Sequence, residues 1–461
     1  MCGIFGIYRH PEAAKLAVYG LYALQHRGQE SAGVASSDGD VLHLAKGMGL
    51  VSEVFGGRDL GDLPGDCSIG HVRYSTSGSS YLANAGPILA ATQHGEVALG
   101  HNGNLVNCCD LREELEGGGA IFSTTTDSEV ILHLFARSTQ ADPVDALVDS
   151  LKRLQGAFSL VVLLRDALVG VRDPWGFRPL VLGDLEGSPV LASETCALDL
   201  LNARYIREIA PGEVIIMDKE GIRSLFPFPK VQPVPCIFEY VYFARPDSDL
   251  FGRVVFPIRQ AMGRILAKEH PVEADMVVPV PDSGLPAAMG YSEQSGIPLV
   301  WGLIRNHYVG RTFIAPRQSM RDVSVRLKLN AVPALLRGRR VVLVDDSLVR
   351  GTTSRKIVRL VRDAGAAEVH LRLSSPPIVN SCVYGIDTPE RSELLAANMD
   401  LEAITAFVEA DSVGYLSVEG MHAAAETALG HACHACFGGP YPVQYTQLRE
   451  RQRHLFEKDH R

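Results

Sequence analysis

The 461-residue chain lacks any apolar run long enough to cross a membrane, which takes about 20 residues, so we expect no membrane-spanning segment. It lacks an excess of positive charge, and its net charge of −9 gives no support for nucleic acid as a partner. Residues 1–6 lack the basic region and the long apolar segment of a signal peptide. We therefore expect a cytoplasmic, reducing location in which the nine cysteines do not form disulfides.

Residues 341–354, VVLVDDSLVRGTTS, carry the strongest functional signal in the chain. The four apolar residues predict a buried strand with Asp345 and Asp346 at its C-terminal end, and a small, hydroxyl-rich loop then leads into a predicted helix. Ligands of a parallel sheet bind outside the carboxyl ends of its strands. A helix N-terminus suits a phosphate, and paired carboxylates suit ribose hydroxyls or Mg²⁺. A capped turn is the plain alternative, but this order of residues is hard to obtain by accident.

This stretch resembles the signature of type I phosphoribosyltransferases, which bind phosphoribosyl pyrophosphate (PRPP). The resemblance implies that Asp345 and Asp346 hold the ribose and that the loop after them holds the 5′-phosphate. Its implied PRPP-binding loop residues are Ser347, Arg350, Gly351, Thr352 and Thr353. The surrounding alternation of helices and strands (helices at 253–269 and 285–294; strands at 274–280, 298–304 and 368–373) predicts a parallel sheet.

Two further segments belong to the same prediction. Pro281-Asp282-Ser283-Gly284 stands where a strand gives way to a helix, and alone it is only a common turn. The family resemblance implies that this loop faces the pyrophosphate and that Ser283 helps Asp345 and Asp346 to bind Mg²⁺. The basic segment 305–329 resembles the loop that closes over PRPP, with Tyr308 and Arg311 as implied contacts. His307 departs from the Lys-Asn-Arg of many relatives, which puts any contact at that position in doubt.

Cys2, directly after the initiator Met1, is a candidate nucleophile. Removal of Met1 would leave a residue that carries a thiol and an α-amine, and the amine, with a pKa of about 7.7–8.0, can act as base for the thiol. The alternative is an inert, buried thiol. Position alone does not decide between the two.

Four segments downstream favour the nucleophile. Arg27 and Gly28 lie in a Gly-rich loop, Arg73 ends a predicted strand, Asn102-Gly103 predicts a tight turn, and Asp127 precedes a predicted helix. Each has a structural alternative: an ion pair for Arg73, a hairpin turn for Asn102-Gly103, a helix cap for Asp127. Together, over residues 1–225, they resemble the glutaminase domain of N-terminal nucleophile amidotransferases.

That resemblance implies a role for each residue. Cys2 attacks the glutamine amide, and Asn102 with the backbone of Gly103 forms the oxyanion hole. Arg73 and Asp127 hold the α-carboxylate and the α-amine of glutamine. Arg27 and Gly28 belong to the substrate-binding loop.

Proline-rich residues 226–235 mark the predicted domain boundary. We expect residues 1–229 to form an α+β N-terminal nucleophile hydrolase domain with αββα layers. Residues 230–461 are expected to form an α/β type I phosphoribosyltransferase domain whose C-terminal segment is tied by a metal cluster.

Cys236, Cys382, Cys433 and Cys436 are candidate metal ligands. By spacing alone, one CxxC and two distant thiols could bind zinc, form a redox pair or be chance. The resemblance favours a [4Fe–4S] cluster, because these positions match the ligands in the cluster-bearing branch of the glutamine PRPP amidotransferase family.

Nearly the whole chain resembles that family, which implies glutamine and PRPP as substrates, phosphoribosylamine, glutamate and pyrophosphate as products, and the first committed step of purine synthesis. It also implies Mg²⁺, a homotetramer or homodimer, and purine nucleotide inhibitors. Two alternatives stay open. Glucosamine-6-phosphate synthase or asparagine synthetase would share the glutaminase half but not the paired aspartates. A PRPP-sensing regulator would need neither Cys2 nor a glutamine site.

Overall fold

The computed structural model of the protein describes residues 1–75, 80–307 and 328–444. Tyr308, Arg311 and most of the segment predicted to close over PRPP lie outside the described residues. Within the described ranges, no helix has both the length and the apolar character needed to span a bilayer.

The N-terminal half is built on two β-sheets that pack face to face. One sheet has seven strands in the order β11-β9-β10-β1-β4-β2-β3, and the other has six in the order β13-β12-β8-β7-β6-β5. The strands are β1 Gly3–Ile7, β2 Ser31–Ser37, β3 Leu42–Met48, β4 Cys67–Arg73, β5 Ile88–Thr92, β6 Gly95–Leu105, β7 Gly156–Leu164, β8 Leu168–Arg172, β9 Val181–Leu185, β10 Ser188–Ala192, β11 Arg204–Glu208, β12 Val214–Asp218 and β13 Gly221–Leu225.

Helices cover the outer faces of both sheets. They are α1 Ala13–Ala23, α2 Val51–Phe55, α3 Cys108–Gly117, α4 Glu129–Arg137, α5 Pro143–Leu151 and α6 Thr195–Leu200. One apolar core lies between the sheets and includes Ile4 and Leu168. Two others join α1 and α6 to the first sheet and α3, α4 and α5 to the second. The predicted αββα layering is confirmed, since apolar side chains on both faces of each sheet need a covering layer.

The C-terminal half contains the predicted parallel sheet. The strands of this half are β14 Asp249–Leu250, β15 Arg253–Val254, β16 Met276–Pro279, β17 Leu303–Arg305, β18 Leu329–Ala331, β19 Arg340–Asp345, β20 Glu368–Leu373 and β21 Ser412–Tyr415. Its helices are α7 Val255–Glu269, α8 Leu285–Ser295, α9 Pro333–Leu336, α10 Thr352–Asp363, α11 Leu395–Asn398, α12 Leu401–Val408 and α13 Val418–Ala424. Strands β16, β19, β20 and β21 pair in that order, all parallel.

Two local predictions fail. Asn102-Gly103 is not a turn, because both residues lie inside β6, where Asn102 is opposite Ser159 of β7 and Gly103 is opposite Phe158. Pairing along eleven residues of β6 outweighs the turn preference of one dipeptide. The strand expected at 298–304 is reduced to a single bridge at Leu299 and the short β17, which pairs antiparallel with β18.

Candidate active sites

Cys2 and several predicted glutamine-binding residues line one cavity in the N-terminal half. Strand β1 brings Cys2 to this place, β4 brings Arg73, and the residues before α4 bring Asp127. The lining residues are Cys2, His71, Arg73, Tyr74, Asn84, Gly86, Ile88, Leu99, His101, Gly103, Thr126, Asp127 and Ser128. Four of the seven residues predicted for this site therefore line the cavity itself.

Asn102 lies directly beside Cys2. The backbone N–H of Cys2 donates to Oδ1 of Asn102 at 3.3 Å. Nδ2 of Asn102 is buried and has no hydrogen-bond partner among the described residues. A buried amide donor without a partner is costly, and an oxyanion formed next to Cys2 would satisfy it.

Arg73 and Asp127 supply opposite charges to the cavity. The Arg73 guanidinium is buried and lies 3.9 Å from the Glu30 carboxylate. Asp127 accepts the N–H of Leu105 on Oδ2 at 2.9 Å, and the Ser128 hydroxyl lies 3.4 Å from Oδ1. One cation and one anion match the two charged groups of an amino acid.

Arg27 and Gly28 contact residues that line the cavity but are not part of its lining. Arg27 is fully buried, and its Nε donates to the backbone carbonyl of Cys2 at 3.0 Å. Its guanidinium pairs with Glu194 at 2.5 Å and with Glu239 at 2.8 Å. A Cβ on Gly28 would lie 2.7 Å from the Arg73 backbone, so this position needs glycine. Direct contact of these two residues with glutamine stays a prediction.

Asp345 and Asp346 stand at the carboxyl end of β19, as predicted. The backbone N–H of Asp346 donates to Asp345 Oδ1 at 2.9 Å, and the Ser347 hydroxyl donates to Asp346 Oδ1 at 2.5 Å. Burial, and then the charge of Asp346, raise the pKa of Asp345 well above its usual range. Burial also raises the pKa of Asp346, although a hydrogen bond from Ser283 opposes this rise. A bound cation would stabilise both carboxylates.

The loop after this pair leads into α10, which begins at Thr352. The free N–H groups of the first helical turn therefore lie at Thr352 and Thr353, beside Gly351. The Arg350 side chain is about half exposed and pairs with Glu393 at 2.9 Å. The structure thus gathers Ser283, the aspartate pair and the predicted phosphate loop at one end of the sheet.

All four candidate cluster ligands line a second, mostly apolar cavity. Its lining is Phe177, Arg178, Cys236, Cys382, Tyr384, Ile386, Cys433, Ala435, Cys436 and Tyr441. The backbones of Cys236 and Cys433 form an isolated parallel β-bridge. The backbone N–H of Tyr384 donates to Sγ of Cys382 at 3.3 Å. The four thiols come from three separate segments of the chain, which the fold brings to one place.

Burial in this cavity disfavours the charged form of three of the four thiols. Burial raises the pKa of Cys236 to about 11, although Arg178 opposes the rise. Burial also raises the pKa of Cys433 and of Cys436 well above the usual thiol range. Within the described part of the chain, no three His, Cys, Asp or Glu side chains are placed to hold a single metal ion. A cluster carries its own sulfide between several irons, so its ligands need not converge on one point.

Comparison with known proteins supports both halves of this description. A family described as "Glutamine amidotransferase domain" matches residues 71–200, and one described as "Phosphoribosyl transferase domain" matches residues 253–374. The chain is 52% identical to the chloroplastic amidophosphoribosyltransferase of Vigna aconitifolia, over 97% of this chain and 92% of that protein. It is 50% identical to the amidophosphoribosyltransferase of Methanocaldococcus jannaschii, over 96% and 98%. The chain belongs to the amidophosphoribosyltransferase family.

Solved structures agree with the family assignment. A protein described as the allosteric regulatory enzyme of purine biosynthesis is 46% identical, with a TM-score of 0.92 and 97% of each chain covered. The glutamine PRPP amidotransferase of B. subtilis, complexed with ADP and GMP, is 46% identical, with a TM-score of 0.91. As an amidophosphoribosyltransferase, the chain combines a glutamine amidotransferase with a pentosyltransferase.

Sequence reasoning missed the residues that hold the amidophosphoribosyltransferase sites in position. Glu30 lies next to Arg73, and Glu194 and Glu239 neutralise Arg27. Arg178 contacts Glu239 at 3.1 Å. These partners are up to 212 residues apart in sequence, and no local pattern marks such pairs.

Proposed function

We propose that the two sites carry out the two halves of the amidophosphoribosyltransferase reaction. The Cys2 thiolate attacks the glutamine amide, ammonia leaves, and water hydrolyses the thioester to glutamate. The ammonia then displaces pyrophosphate from C1 of PRPP and gives 5-phosphoribosylamine, the first committed step of purine biosynthesis. In this proposal the α-amine of Cys2, exposed when Met1 is removed, accepts the thiol proton.

The observation that carries the glutamine half is the Asn102 amide. Its Oδ1 is hydrogen-bonded to Cys2 N, while its buried Nδ2 has no partner among the described residues. Such a donor gains a partner when the carbonyl oxygen becomes an oxyanion, and this preference for the transition state is what lowers the barrier. Arg73 and Asp127 would hold the α-carboxylate and α-ammonium of glutamine.

The PRPP half is supported by the aspartate pair. With the Ser283 hydroxyl, Asp345 and Asp346 would bind Mg²⁺ and the ribose of PRPP, because hydroxyl, carboxylate and phosphate oxygens suit this ion. Ser347, Arg350, Gly351, Thr352 and Thr353 would hold the 5′-phosphate at the start of α10. Tyr308 and Arg311 remain predicted contacts.

The test is release of pyrophosphate that needs glutamine, PRPP and Mg²⁺ together. We expect activity to disappear on chelation of Mg²⁺ with EDTA and to return when Mg²⁺ is added back. An Asp345→Asn variant should lower both glutamine-dependent and ammonia-dependent release by about 10²-fold, because it removes charge at the shared acceptor site. Pyrophosphate release at the same rate with and without glutamine would contradict the coupled reaction. Full activity in EDTA would contradict the requirement for Mg²⁺.

We also propose that Cys236, Cys382, Cys433 and Cys436 hold a [4Fe–4S] cluster. The support is a donor set of four thiols around one enclosed cavity, the number of thiolates that such a cluster needs. When bound, the cluster would supply a structural link and no chemistry in the reaction. It would connect the segment at Cys433 and Cys436 to Cys236 and to Cys382.

Protein purified without oxygen should contain about four irons and four acid-labile sulfides per chain, which follows from one complete cluster. Iron and sulfide analysis checks this prediction. A Cys436→Ser variant should lose both, while a Cys109→Ser variant, which changes a cysteine outside the cavity, should keep both. Stoichiometric zinc without sulfide would contradict the cluster and leave the catalytic proposal standing.

Regulation and assembly complete the proposal. The solved B. subtilis relative was complexed with ADP and GMP, which supports purine nucleotides as inhibitors of this chain. A homodimer or homotetramer, a cytoplasmic location and a domain boundary between residues 229 and 230 are our further proposals.

A further inference from the structure

A segment of the C-terminal half contacts the strand that carries the proposed oxyanion hole. Nδ2 of Asn104, in β6, donates to the backbone carbonyl of Val383 at 2.9 Å, and this hydrogen bond is buried. Two residues later, Gly385 packs against Gly103, which is next to Asn104 in the chain. The segment 383–385 begins directly after Cys382. One short segment therefore makes two contacts with adjacent residues of β6.

The contact at Gly385 is between backbones. A Cβ on Gly385 would lie 2.7 Å from the carbonyl carbon and oxygen of Gly103 and 2.9 Å from its Cα. No flexible side chain could move aside to relieve these contacts. Gly103 is also confined by β7, since a Cβ on Gly103 would lie 2.0 Å from the Ala157 carbonyl oxygen. The backbone of Gly103 thus contacts both β7 and Gly385.

The segment that provides this contact is itself firmly held. Arg178 donates to the Tyr384 carbonyl from Nε at 3.0 Å and from Nη2 at 2.7 Å. The Tyr384 ring stacks on Phe177 with centroids 4.3 Å apart. The backbone N–H of Cys382 donates to the Thr388 hydroxyl at 2.6 Å. Since Arg178 and Phe177 belong to the glutaminase half, both halves hold segment 383–385 in place.

We infer that Gly385 and the Val383 carbonyl are positioning groups for glutamine hydrolysis, which fix the backbone of Gly103, part of the proposed oxyanion hole, from the transferase half. This inference rests on the proposed roles of Cys2, Asn102 and Gly103. Oxyanion donors act only when they are held at hydrogen-bond distance from the developing charge. The glutaminase site is therefore complete only when segment 383–385 is seated against β6.

A Gly385→Ala variant tests the inference. The added methyl group pushes on the Gly103 peptide, so we expect kcat for glutamine hydrolysis to fall at least about tenfold and KM to change by less than about twofold. The aldehyde analogue of glutamine, glutamate γ-semialdehyde, forms a tetrahedral adduct with a thiol and should bind at least about tenfold more weakly. Alkylation of Cys2 by iodoacetamide, which forms no oxyanion at a carbonyl, should keep its wild-type rate.

Gly187→Ala is the matched control. Gly385 has a φ of +100° and Gly187 has a φ of +92°, but a Cβ on Gly187 would meet no atom within 4 Å. Both substitutions therefore strain the backbone, and only one adds a contact with Gly103. The control should keep wild-type kcat and analogue affinity.

An Asn104→Ala variant removes the hydrogen bond to Val383 without adding atoms, and it decides the question if Gly385→Ala does not fold. It should bind the aldehyde analogue more weakly than the wild type does, and its Cys2 should react with iodoacetamide at the wild-type rate. Wild-type affinity for the analogue in this variant and in any folded Gly385→Ala protein would overturn the inference. So would a loss of the iodoacetamide reaction rate as large as the loss of analogue affinity. If iodoacetamide leaves glutamine hydrolysis by the wild-type enzyme intact, the proposed role of Cys2 fails instead.

Discussion

A Cys2→Ala variant should lose glutamine-dependent formation of pyrophosphate by at least about 10³-fold and keep ammonia-dependent formation within about twofold. Without the thiol no thioester forms, and the oxyanion hole and binding groups give only residual catalysis. The aspartate pair that would bind PRPP stands on β19, in the other half of the chain, so added ammonia can still react there. Both rates are measured as pyrophosphate release at saturating PRPP and Mg²⁺.

Cys67→Ala is the control for Cys2→Ala. Cys67 is also a buried thiol of the glutaminase half, and its Sγ lies 3.3 Å from an Asp66 carboxylate oxygen. Burial raises the pKa of the Cys67 thiol to about 12, so this thiol stays protonated and unreactive at neutral pH. The control should keep both activities. Glutamine-dependent activity in Cys2→Ala within tenfold of wild type would exclude Cys2 as the nucleophile.

The sequence predicts the fold best where a periodic pattern and a motif coincide. The apolar run at residues 341–344 predicts a buried strand, and the structure has β19 Arg340–Asp345, which ends at the first aspartate. The αββα layers of the first half are implied by the family resemblance, whereas the helix after β19, like the strand itself, follows from the local pattern. The strand and the helix are local features, so they can be detected in a single sequence.

The contacts that position the sites cannot be predicted in this way. Asn102-Gly103 has the local preference of a turn, yet long-range pairing with β7 makes it part of a strand. Glu239 lies next to the boundary predicted from proline content, and only the fold places it against Arg27 and Arg178. Burial of charged groups depends on the complete tertiary structure, so the sequence gives no signal for it.

A Glu239→Ala variant should lower the free energy of unfolding by about 3–5 kcal/mol, because it leaves two buried guanidinium groups without a shared partner. The side chains of Glu239, Arg27 and Arg178 all have 0% exposure. Burial alone would lower the pKa of Arg27, but Glu239 and Glu194 raise it above its usual value. Without Glu239, Glu194 alone must compensate the charge of Arg27. Urea unfolding, followed by tryptophan fluorescence and circular dichroism, measures the loss.

Glu409→Ala is the control for Glu239→Ala, because it removes a carboxylate that also pairs with two arginines but is exposed to water. Glu409 also pairs with two arginines, Arg355 at 2.7 Å and Arg359 at 2.5 Å, but its side chain is 33% exposed. Water can replace Glu409, so its removal should cost at most about 1 kcal/mol. Because Arg27 also donates to the Cys2 carbonyl, Glu239→Ala should lower glutamine-dependent activity more than ammonia-dependent activity. Glu409→Ala should not change the ratio of the two activities. Equal stability of the two variants would show that the buried pairs contribute no more than exposed ones.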